Sequence, residues 1–343
     1  MNIPTRLVVS VLGFFASVAF AQSATSGPYK VLNSVKVGGP GGFDYVTADA
    51  DARRLYIPRG APANHVTVYD LDSLKSVGEI PETLSVHGVA IDPATHHGFS
   101  SSKPVVMWDS STLATLKTIP VEGNPDGICF EPVTSRIFVL SHKAPNVTVL
   151  DSKDGSVVGT IDLGGAPEQA QSDEQGREFI DIEDKDKVAV VDAKTLTVTA
   201  QYDLAGKGGT AAGLAFDAKH HILFACCRNP ATCVILNSDD GKILATLPIG
   251  AGTDGAVFNP ATMEAFSSQG DGTLTVIKEK SPTSFEVEQT VATKVGAKTC
   301  TLDPKTNRLL LITADRAPVP ADAKKGKRGA LVPDSFTILV VGR

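Results

Sequence analysis

The chain has 343 residues, of which 42% are hydrophobic, with 31 Gly, 21 Pro and a formal net charge of −6. This composition describes a turn-rich globular protein and excludes a disordered one. The mild acidity lacks the electrostatic footprint of a duplex-DNA binder and does not favour an anionic membrane surface.

At the N-terminus, Arg6, the apolar run Leu7 to Phe20 and the small-residue pattern Ala19-Phe20-Ala21 read as a cleavable signal peptide over residues 1–21. The run is too short to cross a bilayer and no second one follows, so membrane insertion is not expected. Residues 22–343 are therefore expected to be a single domain, periplasmic or secreted. Five cysteines are few and odd in number, which argues against a disulfide framework. Cys226 or Cys227 could pair with Cys233, because export permits disulfides. Cys129 and Cys300 read as buried thiols in strands.

The chain then repeats itself. An acidic residue or Asn closes a short apolar stretch at Asp49, Asp92, Glu131, Asp173, Asp217, Asn259 and Asp303, spaced 39 to 44 residues apart. An apolar patch follows each marker, as in Leu55-Tyr-Ile57 and Ile137-Phe-Val139. A β-branched alternating run comes next, such as His65-Val-Thr-Val-Tyr-Asp70, Val105-Val-Met-Trp-Asp109 and Asn146-Val-Thr-Val-Leu-Asp151. A fourth run closes the unit, as in Ser156 to Leu163 and Lys242 to Ile249. Short period-2 segments between Asp/Gly/Pro turns are strands joined by hairpins, and four per unit of this length predict a β-propeller blade. The last unit supplies only Thr299–Leu302, Arg308–Ile312 and Phe336–Val341. Its missing fourth strand is Tyr29–Val37, so the two ends should pair and close a ring of seven blades.

Arg54-Leu-Tyr-Ile57, Asn64-His-Val-Thr-Val-Tyr-Asp70 and Val77-Gly-Glu-Ile80 together resemble the repeat of the YVTN-repeat, YncE-like family of bacterial seven-bladed propellers. The resemblance covers nearly all of residues 22–343 and implies the fold and export, but no single activity. Blade four departs from it at Phe179-Ile-Asp-Ile-Glu183, and blade seven is interrupted by an insertion.

Propeller geometry converts the repeat into a site. Counting back five residues from each marker reaches the channel mouth at Asp44, His87, Asp126, Glu168, Ala212, Asp254 and Lys298. Loops after the second strands add Arg59, Lys103, His142, Glu183, Arg228 and Arg316 on the same face. Charged residues are rarely buried unless paired, so the expected ligand-binding set is Asp44, His87, Asp126, Glu168, Asp254, Lys298, Arg59, His142 and Arg228. The bland alternative is a wet rim whose charges only neutralise one another. The insertion, residues 313–335, carries Lys324-Lys325-Gly-Lys327-Arg328 and is read as a flap over the mouth, against a loop that touches nothing.

Other motifs carry less. Gly250-Ala-Gly-Thr-Asp-Gly255 precedes a strand rather than a helix, so it is not a dinucleotide fingerprint. His96-His97 and His220-His221 sit in equivalent turns on nearly opposite sides of the ring and read as surface residues. Asp151-Ser-Lys-Asp-Gly155 and Asn237-Ser-Asp-Asp-Gly241 read as hairpin turns, Trp108 as packing, and the Asn146 sequon as part of a strand.

The functional expectation is an exported binding or scaffold protein, monomeric, without a resident cofactor, taking a small polar ligand or a protein partner at the mouth. The alternative is a metal-assisted, lactonase-type hydrolase holding a divalent ion on Asp44, His87, Asp126, Glu168 or Asp254. A third reading, polyanion binding through the flap cations, is disfavoured by the net charge.

Overall fold

The computed structural model of the chain describes residues 24–319 and 329–343. The expected signal peptide and the basic cluster of the insertion lie outside these residues. Among the described residues there is no helix, and the strands form seven four-stranded antiparallel sheets in the order of the sequence repeat. No described helix is long and apolar enough to cross a membrane.

Local chemistry explains why the marker recurs. At all seven positions its side-chain oxygen accepts the N–H two residues on, from Asp49 to Asp51 through to Asp303 to Lys305. This Asx-type turn satisfies backbone donors where the inner strand ends and reverses the chain into the second strand. The third-to-fourth hairpins use the same device at Asp151, whose Oδ1 accepts from Lys153, and Gly155 takes φ +66° to complete that turn.

Ring closure is as expected. The N-terminal strand Lys30–Lys36 pairs antiparallel with Thr337–Gly342, from Lys30 opposite Gly342 to Lys36 opposite Thr337. The seam is bolted by Arg59, which is only 2% exposed. Its guanidinium stacks on Phe336 at 3.4 Å and donates to the carbonyls of Gly38 and Pro40.

The core lies between blades, not within them. Seven apolar clusters each join two neighbours, such as Tyr56, Val68, Val106 and Trp108 across blades one and two. Phe99, Met107, Val139 and Leu150 join blades two and three. Alternate residues of one strand thus face opposite neighbours, which is why the second and third strands read as nearly continuous apolar runs. Trp108 is fully buried, packs on Tyr56 and lies across from Gly98, where any Cβ would fall 2.2 Å from its ring.

All five cysteines are free, and Cys226 stands opposite Cys233 in adjacent strands of blade five. Asn146 is buried, with its amide oxygen accepting from Leu163 N–H.

Candidate functional site

The inner strands bring the counted residues to one end of the channel. In blades three to six a β-bulge falls at this point: between Pro125 and Ile128, Pro167 and Ala170, Ala211 and Gly213, and Thr253 and Gly255. Asp126, Glu168, Ala212 and Asp254 each fall inside one of those bulges. A bulge re-aims a side chain that regular pleating would point into the neighbouring blade. The close fit shows at Gly127, where an added Cβ would lie 2.2 Å from the Glu168 carbonyl oxygen.

Eight side chains then form a closed circuit of alternating charge. His87 Nδ1 lies 2.8 Å from Asp44 Oδ2 and 3.1 Å from Asp126 Oδ1. Asp126 Oδ2 is 2.9 Å from His142 Nε2, which is 3.7 Å from Glu168 Oε2. Arg228 donates to Glu168 Oε1 at 3.2 Å and also to Asp254. Lys298 pairs with Asp254 and returns to Asp44 Oδ1 at 3.1 Å. Glu183 joins from outside, accepting from Arg228 at 3.0 Å. Blade five offers only Ala212 at its inner position, and Arg228 from the end of its second strand fills the gap.

Three carboxylates of the circuit are nearly buried, while His87, His142 and Arg228 stay about one-third exposed. The Asp126, Glu168 and Asp254 side chains are 9%, 8% and 6% exposed. Burial alone would discharge His87, but hydrogen bonds to Asp126 and Asp44 outweigh it and raise its pKa to about 10. The Asp126 and Glu168 carboxylates raise His142 to about 10 as well. Burial opposes ionisation of Asp126, yet His142 and His87 hold it well below the usual carboxylate range. At neutral pH both imidazoles are therefore cations.

Two participants, Tyr45 and Gln169, are neither inner-position nor loop residues expected at the mouth. Tyr45 reaches across the channel from blade one, its hydroxyl donating to Glu168 Oε2 at 2.8 Å; burial and that carboxylate push its pKa well above the ordinary value. Gln169 stitches blades four, five and six, accepting from Leu214 and Ala256 N–H. A glycine directly after the mouth residue, as in His87-Gly88, Asp126-Gly127, Ala212-Gly213 and Asp254-Gly255, is the sequence signal that marks this crowded ring.

One expected residue belongs elsewhere. Arg59 is committed to the closure seam, because its guanidinium is buried against Phe336 and two carbonyls, and it takes no part in the circuit. Lys103 also lies outside it, donating to the Gly123 carbonyl. Arg316 holds the base of the insertion, donating to the Gly329 carbonyl, and Ala317 and Val332 add backbone bonds across the stem.

Space exists on both sides of the circuit. A cavity of about 290 Å³ lies along the channel, lined by Tyr45, Gly127, Cys129, Gln169 and Cys300. A larger hollow of about 620 Å³ opens between Asp44, Lys298, Gly252, Asp271 and Arg316. The triples Asp44–His87–Asp126 and Asp126–His142–Glu168 each bring three ligand atoms within 4.8 Å of one another. Their donor types fit a divalent ion.

No family model and no curated protein matches the chain. Similar solved structures are propellers: "Structure of U3-55K" at 11% identity and TM-score 0.71, covering 92% of this chain and 99% of that one. "Crystal structure of RRP9 WD40 repeats" gives 12% and 0.72, covering 94% and 100%. A chain of "Crystal Structure of Mitotic Checkpoint Complex" gives 12% and 0.72, covering 98% and 99%. At such identities the likeness is one of fold.

Proposed function

We propose that this chain is an exported, YncE-like propeller that binds a small polar ligand or a protein partner at its charged mouth and performs no chemistry of its own. The observation that carries this reading is the closed circuit from Asp44 through His87, Asp126, His142, Glu168, Arg228 and Asp254 to Lys298. Desolvating that many charges costs stability even when they pair, and perturbed titratable groups gathered in a cleft make a functional-site candidate. Asp44 and Lys298 of the circuit line the hollow of about 620 Å³ together with Asp271 and Arg316, so a hydroxylated or zwitterionic ligand there would find both signs of charge. That one structural neighbour comes from the Mitotic Checkpoint Complex agrees with a propeller presenting a face to a partner.

The second reading, metal-assisted hydrolysis, draws on the two mouth triples that fit a divalent ion. It requires the ion to displace the protons now held by His87 and His142, and neither imidazole is free to act as a general base while protonated. A thermal-shift and calorimetric screen of sugars, amino acids, lactones and divalent metals separates the two. Binding of an organic ligand that His87→Ala and Asp126→Ala abolish supports the first reading. Lactone turnover that depends on added metal and on His87 supports the second and overturns the first.

A further inference from the structure

On the face opposite the mouth, the repeat provides an internal comparison for every marker. Asp92 of blade two is buried, and its Oδ2 accepts from Ser152 Oγ of blade three at 2.7 Å. Ser152 is identified by a backbone bond to Ser135 O that recurs in other blades, from Leu71 to Arg53 O, Ser110 to His96 O, Ala193 to Gly176 O and Ser238 to His221 O. In blade six the residue making this bond, to Met263 O, is Glu279. A hydroxyl or apolar side chain is thus replaced by a carboxylate.

A second departure meets it. Three residues past the marker, Thr134 and Thr306 donate their hydroxyls to Glu131 and Asp303, and Thr95 stands in the same place after Asp92. After Asp217 this position is His220. Its Nδ1 lies 2.5 Å from Glu279 Oε1 and 2.9 Å from Asp217 Oδ2, with the three ligand atoms within 4.8 Å of one another. The Asp217 and Glu279 side chains are 1% and 0% exposed. One Nδ1–H serves one carboxylate, and Asp217 Oδ2 and Glu279 Oε2 are left buried with no hydrogen-bond partner. Among the described residues no Lys or Arg pairs with either, in contrast to the mouth, where Arg228 and Lys298 complete the circuit.

We propose that Asp217, His220 and Glu279 form a binding site for a first-row divalent metal ion that clasps blades five and six. One imidazole and two carboxylates suit Zn²⁺ or Mn²⁺, with a fourth position left for water. The His220 side chain is 24% exposed, which provides the entry path. Ligands at their usual distances from one tetrahedral ion stand about 3.3 Å apart, so His220 need withdraw from Glu279 by less than about 1 Å. The ion would place a divalent charge between two buried carboxyl groups that no Lys or Arg reaches among the described residues.

The test is metal retention by the purified, chelator-stripped full chain, titrated with MnCl₂ and ZnCl₂ by calorimetry and thermal shift. Wild type should bind one ion and unfold at higher temperature when loaded. Glu279→Ser and His220→Thr restore what blades three and two carry at the equivalent places, so they should fold and bind more than about tenfold more weakly. Thr134→Ala, at the equivalent turn of blade three, should leave this binding unchanged. Absence of binding by wild type, or equal binding by Glu279→Ser, overturns the proposal. X-ray absorption on the zinc-loaded protein gives a spectroscopic check: a nitrogen/oxygen shell present in wild type and lost in Glu279→Ser supports the site, and sulfur in the shell, or a shell unchanged in Glu279→Ser, overturns it.

Discussion

Asp126 is flanked by two imidazoles and nearly excluded from water, so its loss breaks the circuit at two points and leaves His87 with Asp44 alone and His142 with Glu168 alone. Removing one partner from a buried charge cluster costs about 3–5 kcal/mol, and Asp126→Ala should lose stability on that scale in a urea titration. His87 and His142 predict a pH dependence whose sign follows from their raised pKa values. Their contribution is complete below the ordinary histidine value, near 6.5, and is lost as pH rises through about 10. Each side chain is about one-third exposed, so solvent screening limits the loss to about 1–2 kcal/mol in all. A melting temperature that stays flat from pH 7 to 10 would contradict the charged-imidazole assignment, and His142→Gln should halve the slope. Gly98→Ala tests packing at the same scale: its Cβ would meet the Trp108 ring. Overpacking of this kind costs about 1–3 kcal/mol, with the sole Trp reporting the shift by fluorescence.

Among the elements, the closing strand carries the clearest consequence. Thr337–Gly342 hydrogen-bonds on one side to Arg308–Thr313 and on the other to Lys30–Lys36. Deleting residues 22–37 would expose that strand as an edge and open the seam where Arg59 stacks on Phe336. The truncated chain should elute from gel filtration as oligomers or aggregate, and a stable monomer would contradict the closure role. Arg59→Ala should weaken the same seam by losing both the ring contact and the carbonyl bonds to Gly38 and Pro40. In the sequence Arg59 is one loop cation among several, because nothing local shows that Phe336 comes to lie beneath it. The strands themselves were legible, since period-2 alternation and Asx turns are local properties. The bulges at Asp126, Glu168 and Asp254 were not, since they arise where inner strands crowd around the channel.

For the whole molecule, the interface clusters mean that no blade has a core of its own. A repeat that contacts only its neighbours unfolds piecemeal when its ends are open, but the N-terminal strand joins the last sheet and removes the ends. Unfolding should therefore be cooperative, with Trp108 fluorescence, which reports blades one and two, coinciding with far-ultraviolet circular dichroism of all seven. Separate transitions would show that the seam opens first.

The sequence by itself determined the repeat, the number of blades, the pairing of the two ends and the ring of polar positions at the mouth. These follow from periodicity and from turn chemistry, which act over a few residues. Tertiary structure alone decided that eight of those side chains close into one alternating circuit and that Tyr45 crosses the channel to Glu168. It alone brought His220, Asp217 and Glu279 together across a blade boundary. The reason is distance along the chain: Asp44 and Lys298 stand 254 positions apart and meet only after the ring has closed. Which atom then faces which is set by bulges and packing that leave no local pattern.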